Sequence, residues 1–430
     1  MWLRMKLISK IEKTITKYSL PLFLFSLLLI KIPPFYLFFP IKSALLTTHM
    51  LARLIIAVLF AVLVYRQLIV KKKIYTSKEK TLLLIFSIYF VFQSFSVYSA
   101  VDTISFLQRY KNILFPGFFL FVALTFRKHR EKVFWVLLAS AVFNFFYQML
   151  MFWSPGLFQS LGGVFVYSGH MELVSINLER FRMFIETYDE IAIPFIFLLI
   201  TVVTQRWQKI SVIIVFLMIV APSLLSNFRS RVLMLAVAFL ASFVFLQGKK
   251  IIPKLSLLVS LVAVGFLSVF LLNSLFGFSI VDRFALEDEK EDVRTISLRG
   301  RNIDMSTEMG FAYPILGVGL GNYYDHLPFS QKAKQSIFGW VKKEAEISST
   351  NPHNIFAQTV AETGIFSFIF YFGFIAIFAY EDTQILFKKK LPPIQKAYII
   401  SFWALFIYAV FNPTTTLTYN TIFWVLRAMI

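Results

Sequence analysis

The chain has 430 residues, 58% of them hydrophobic, and a mean hydropathy of +0.72. Soluble globular proteins hold roughly 45 to 50% apolar residues, so this composition excludes a soluble domain and defines an integral membrane protein. The formal charge of +20 comes from short clusters between apolar runs, which excludes a continuous basic nucleic-acid-binding surface, and the lack of cysteine excludes disulfides, thiol catalysis and thiolate metal sites.

From the N-terminus, a basic stretch leads into the first of many apolar runs and has no cleavable-leader pattern. Runs of about 17 to 25 residues, long enough to cross hydrocarbon as helices, recur along nearly the whole chain. They predict helices over 18–40, 44–69, 81–99, 112–126, 133–153, 190–205, 210–227, 232–247, 255–275, 364–380, 396–411 and 417–430. The expected fold is therefore all-α, a polytopic membrane protein of about twelve transmembrane helices. One large external loop lies between the ninth and tenth helices. The chain divides into an N-terminal bundle (1–275), that loop (276–363) and C-terminal helices (364–430).

Lys and Arg clusters fall at every second connection: the N-terminal arm, 66–80, 127–132, 206–209, 247–250 and 388–396. One orientation puts all of them inside, with both termini cytoplasmic and the segments 153–189 and 276–363 external. Cations left outside are mostly arginine (Arg109, Arg180, Arg182, Arg229, Arg231, Arg294, Arg299, Arg301), with Lys111 and the lysines of 332–343. A guanidinium binds phosphate bidentately, whereas lysine suffices as a topological charge. No internal repeat is visible.

Several constellations are suited to chemistry. Residues 348–354, SSTNPHN, precede an apolar-periodic run and predict a helix start, with Thr350 or Asn351 as cap and Pro352 at the first helical position. His353 and Asn354 then fall in the first turn, where unpaired N–H groups favour an anion and a neutral imidazole. Such an imidazole is a candidate general base, and a hydrogen-bonded surface histidine is the alternative. PILGVGLGN (314–322) places glycines at 317, 319 and 321, fit for a tight turn or for close approach of backbone to a ligand, and lacks the spacing of a dinucleotide fingerprint.

Arg229 and Arg231 stand between two apolar runs. Charge near hydrocarbon is costly, so they call for a partner, either a lipid-linked diphosphate or phospholipid headgroups. Arg301 and Arg299 offer a second cationic contact or pair with the acidic run 287–292. Arg53, one turn after His49, is expected to look into the bundle. Arg180, Arg182, Glu186, Asp189 and Glu190 read as interface salt bridges or as an acid/base pair. HExxH, DxD-like, Walker and GxSxG motifs are absent, so no cofactor or metal is expected.

Ser230-Arg231 opening a membrane helix, Arg301 in LRGR, the PILGVGLGN turn, and HN followed by AETG together resemble the O-antigen ligase and polymerase family of bacterial membrane proteins. The resemblance covers about residues 180–380. It departs from the family pattern at Val232, where members often have a small residue, and near Arg182, which lacks the usual Gly and Pro-Asn.

The resemblance implies a multi-pass protein of the bacterial inner membrane. It implies a metal-independent, inverting glycosyltransferase that moves a glycan from undecaprenyl diphosphate to a lipid or glycan acceptor on the outer face. Arg231 and Arg301 would then hold the diphosphate, assisted by Arg229, Asn354, Gly319 and Gly321, while His353 activates the acceptor hydroxyl. The expected partners are the lipid-linked glycan, its acceptor and membrane lipids, with no nucleic acid. Other classes remain open: a repeat-unit polymerase of the same family, a peptidoglycan glycan-strand polymerase, and a transporter of twelve helices. A transporter tends to carry its polar site near the bilayer midplane. Here polar density lies in the external loop.

Overall fold

The computed structural model describes residues 2–34, 47–68, 74–160, 166–167, 181–182, 187–225, 229–246, 289–326, 352, 354–387, 391–412 and 416–430; for some of these, Arg229 and Arg301 among them, it describes the backbone alone. The helices are α1 (Trp2–Lys31), α2 (Thr48–Leu68), α3 (Ser77–Phe95), α4 (Thr103–Thr125), α5 (Arg130–Trp153), α6 (Pro155–Ser160), α7 (Ile193–Val202), α8 (Arg206–Leu225), α9 (Arg229–Leu246), α10 (Glu289–Ala312), α11 (Ile355–Phe387), α12 (Pro393–Phe411) and α13 (Leu417–Met429). Val166–Tyr167 and Phe181–Arg182 form a small antiparallel strand pair, a local exception to the all-α expectation. Six helical segments among the described residues are long and apolar enough to cross a membrane, and the protein is a polytopic membrane protein.

Every expected span except 255–275, which lies outside the described residues, falls on a helix. Boundaries moved where capping or proline chemistry overrides hydropathy. α1 stops at Lys31 and not near residue 40, because Pro33 and Pro34 lack the N–H groups that would continue it. α4 starts nine residues before the expected 112, where Asp102 accepts hydrogen bonds from the N–H groups of Ile104 and Ser105. Arg109 and Lys111, expected in a loop, therefore sit on a helix. α3 opens on a reciprocal cap between Thr76 and Glu79. The expected loop 276–363 contains α10, so the LRGR segment is helical.

Among the described residues the core is a large apolar cluster with α13 at its heart, where most of Leu417–Met429 is buried, and two small clusters under the 313–323 turn. α13 packs on α4 and α12, α12 on α9 and α7, α1 on α2, and α10 on the start of α11. Phenylalanine abundance serves this packing. Rings such as Phe60 and Phe118, 4.3 Å between centroids, or Phe402 and Phe423, 4.7 Å, interlock between helices.

Candidate functional site at one end of the bundle

Two connections clamp the long insertion onto the bundle. Tyr313–Tyr323 turns back on itself, and Gly317, Gly319 and Gly321 take φ of 67°, 96° and 79°, values that side-chain-bearing residues rarely adopt. The turn zips against the end of the first part of α11: Val318 N–H donates to Ala361 O (2.8 Å), Gly319 N–H to Glu362 O (3.1 Å), and Ile365 N–H to Pro314 O (2.8 Å). α11 breaks at Gly364 (φ 82°) to permit this.

The same turn then docks on the α3–α4 connection. Asn322 Oδ1 accepts from Asp102 N–H (2.6 Å), Asn322 Nδ2 donates to Asp102 O (3.2 Å), and Leu320 N–H donates to Ser96 Oγ (3.2 Å). A Cβ on Gly319 would stand 2.6 Å from Ala100 Cα, and one on Gly321 would meet Arg109 Cγ at 2.5 Å. Both glycines are thus required by close chain-to-chain packing.

Beneath the turn opens a small pocket. Tyr89, Gln93 and Arg109 face Gln358, Glu362 and Asn420 across it. Ile355, Gln358, Thr359 and Glu362 fall three, four and seven residues apart and so share one face of α11. Gln358 Nε2 donates to Glu362 Oε2 (3.0 Å). Glu362 Oε1 and Gln358 Oε1 are buried and meet no hydrogen-bond donor among the described residues.

Along the same end lies a buried charge cluster. Asp189 and Glu190 occupy one 3-10 turn (Asp189–Ala192) entered through Tyr188 at φ 52°. Glu190 Oε1 accepts from Arg231 Nε and from Ser223 Oγ, each at 2.7 Å. Asp189 Oδ1 accepts from Lys31 Nζ (2.8 Å) and Asn144 Nδ2 (2.9 Å), and Lys31 also donates to Thr187 O. Lys31, Asp189, Glu190 and Arg231 are all at most 5% exposed. Tyr188 stacks edge-on with Tyr408 and Tyr419, and its hydroxyl meets Thr416 Oγ1 at 3.3 Å, which ties this cluster to the α12–α13 connection.

Several expectations are revised by this geometry. Asp189 and Glu190 turn inward into buried pairs and do not form interface bridges; Arg180 and Glu186 lie outside the described residues. Arg231 finds its partner in Glu190 of this chain. The helix cap is Asn354, whose Oδ1 accepts from Phe356 and Ala357 N–H at 2.9 and 3.0 Å, so Pro352 precedes the helix. Asn354 Nδ2 donates to Val410 O (2.9 Å), tying the start of α11 to the end of α12.

His353, Thr350 and Asn351 lie outside the described residues. The backbones of Arg229 and Arg301 are placed at the start of α9 and within α10. Arg53 looks into the bundle, its guanidinium 5.6 Å from the Phe115 ring centre, as expected. Among the described residues no three His, Asp or Glu side chains gather in a metal-binding group.

The polar insertion is thus clamped over a polar pocket of the membrane bundle. Residues 214–372 match the family model described as O-antigen ligase. The matched range runs from within α8 through α9, α10 and the glycine turn to the middle of α11, so it contains Arg231, Arg301, His353 and Glu362. No curated protein matches the chain.

Proposed function

We propose that the protein transfers a glycan from undecaprenyl diphosphate to a lipid or glycan acceptor on the outer face of the bacterial inner membrane. The observation that carries this reading is the family match, which spans the arginines, the glycine turn and His353-Asn354 in a single range. The described ends of that range, Arg231, the glycine turn and Asn354, lie at one end of the bundle, and the reading makes that end the outer one. Both termini are then cytoplasmic.

The diphosphate is a good leaving group, so the protein has mainly to neutralise its developing charge and to orient the nucleophile. Arg231, with its Nε held by Glu190, and Arg301 neutralise the diphosphate, with Arg229 at the same helix start. His353, next to the Asn354 cap, takes the proton of the acceptor hydroxyl. Displacement from the opposite face of the anomeric carbon inverts its configuration, and the step needs no metal. Gly319 and Gly321 contribute by bringing backbone close to this surface.

The test is glycan transfer in proteoliposomes loaded with the host's lipid-linked oligosaccharide. His353→Ala and Arg301→Ala are expected to abolish transfer while insertion and abundance stay at wild-type levels. Wild-type transfer by both variants would overturn the assignment, and solute flux without glycosidic bond formation would point to a transporter. Deletion separates the family's two activities: unattached long chains mark lost ligation, and single-repeat products mark lost polymerisation.

A further inference from the structure

Arg53 belongs to no step described above. Its guanidinium lies 5.6 Å from the centre of the Phe115 ring on α4, and Lys111, one turn before Phe115, stands close enough for the two cations to repel each other. No carboxylate answers them. α2, α4, α13 and the connection 35–46 contain no Asp or Glu, and Asp102 at the head of α4 is engaged by Ile104 and Ser105. Among the described residues neither Arg53 nor Lys111 makes a hydrogen bond or an ion pair.

The two cations flank one seam near one end of the bundle. α2 begins beside the end of α1, where His49 Nε2 meets Ile32 O at 3.0 Å, and α4 begins under the glycine turn that Asn322 docks on Asp102. Arg53 and Lys111 lie roughly 8 and 12 Å in from those starts, at a rise of about 1.5 Å per residue. Both side chains are half-buried, so neither is sealed from its surroundings. The seam faces the bilayer: Leu54, next to Arg53, and Leu107, one turn before Lys111, are each 56% exposed. Toward the opposite end Phe60 closes it, stacked on Phe118 at 4.3 Å.

A charge at that depth is costly, and two of one sign in a single seam cost more. The Phe115 ring offsets only part of this. One anion between the cations turns their repulsion into two attractions, and the anion in excess beside a lipid-facing seam is phospholipid phosphate. Arg53 offers a planar fork to the phosphate oxygens and Lys111 a point charge. We propose that the α2–α4 seam binds one anionic phospholipid, its phosphate held between Arg53 and Lys111 and its chains lying over Leu54 and Val58. The site goes beyond glycan transfer and does not rest on it. The charged neighbours of the pair are each other and His49, whereas Arg231 answers to Glu190 and Asp189.

The test is native mass spectrometry of the full-length chain in detergent, titrated with phosphatidylglycerol, phosphatidylcholine or undecaprenyl phosphate. The wild type is expected to take up one phosphatidylglycerol in preference to either other probe. Arg53→Met and Lys111→Met should each weaken that uptake about fivefold, and the double variant less than about tenfold, because residues that share one partner do not act additively. Lys111→Arg keeps the charge and is expected to keep the uptake.

Equal uptake of phosphatidylglycerol and phosphatidylcholine, or wild-type uptake by both single variants, overturns the site. A loss of about 25-fold in the double variant marks two cations snorkelling to separate lipids and overturns it as well. Preferential uptake of undecaprenyl phosphate overturns the phospholipid assignment. If Arg53→Met fails to fold, Arg53→Lys, which keeps the charge and loses the fork, is expected to weaken uptake about threefold with an unchanged unfolding midpoint. None of these measurements involves glycan transfer, so the two readings stand or fall separately.

Discussion

Glu190→Gln isolates the energetics of the buried charge cluster. Lys31, Asp189, Glu190 and Arg231 sum to zero charge, and Glu190 Oε1 alone receives both Arg231 Nε and Ser223 Oγ at 2.7 Å. Neutralising Glu190 leaves one net positive charge in a site that is at most 5% exposed. Removing one partner of a buried pair costs about 3 to 5 kcal/mol, which lowers the folding equilibrium constant by about two to three and a half decades.

The counter-experiment is Glu190→Gln combined with Arg231→Gln. It restores neutrality and is expected to recover at least half of the loss. Folded fraction against mole fraction of SDS in mixed micelles measures both variants. Glycan transfer measured beside it separates stability from function, because the double variant is expected to fold yet remain inactive once the diphosphate-binding guanidinium is gone. A single Glu190→Gln variant as stable as wild type, within about 0.5 kcal/mol, would refute the buried-pair argument.

Gly319→Ala forces a Cβ to within 2.6 Å of the Ala100 backbone at φ 96° and is expected to cost at least ~2 kcal/mol, read as faster proteolysis of the 289–363 segment in proteoliposomes. Gly300→Ala is the contrast, since nothing lies within 4 Å of its added Cβ and a helix-interior glycine is relieved; a gain of up to ~1 kcal/mol is expected. Asn354→Ala should lose about 1 kcal/mol of capping, whereas Asn354→Asp keeps the cap and loses only the bond to Val410, as differential unfolding will show. Hydrogen bonds from Ser105 and Ile104 hold the Asp102 carboxyl below its ordinary 3.8. With the folded value depressed, its stabilisation is present above pH about 4 and is lost as pH falls through the lower folded value. Faster amide exchange at Ile104 and Ser105 should therefore begin only below pH 3.8, and Asp102→Asn should flatten that dependence.

Hydropathy made the helices legible because spanning segments must satisfy their own backbone in lipid, and this leaves long apolar runs that survive errors in end placement. End positions were less legible, since they depend on single residues: Asp102 and Asn354 cap their helices, while Pro33 and Pro34 terminate one. The glycine turn could be read as a turn from its spacing. Its docking partners could not, because Ser96, Ala100 and Asp102 lie more than 200 residues away and carry no signature of their own. Lys31 was the overlooked signal: an isolated cation inside an apolar run implies a buried carboxylate, and Asp189 is that partner.

The family pattern marks Glu362 only as part of AETG, without a role. Its placement depends on the break at Gly364, which lets the first nine residues of α11 lie under the glycine turn and present Gln358, Thr359 and Glu362 to one pocket. The backbone hydrogen bonds that tie Val318 and Gly319 to Ala361 and Glu362 therefore do two things at once. They close the long insertion onto the bundle, and they hold a carboxylate in place near the residues proposed to meet the diphosphate. Gly317 and Gly364 serve that contact, while Gly319 and Gly321 serve the docking of the same turn on Ala100 and Arg109, which explains why glycines cluster at the two ends of a polar insertion in a chain otherwise committed to apolar packing.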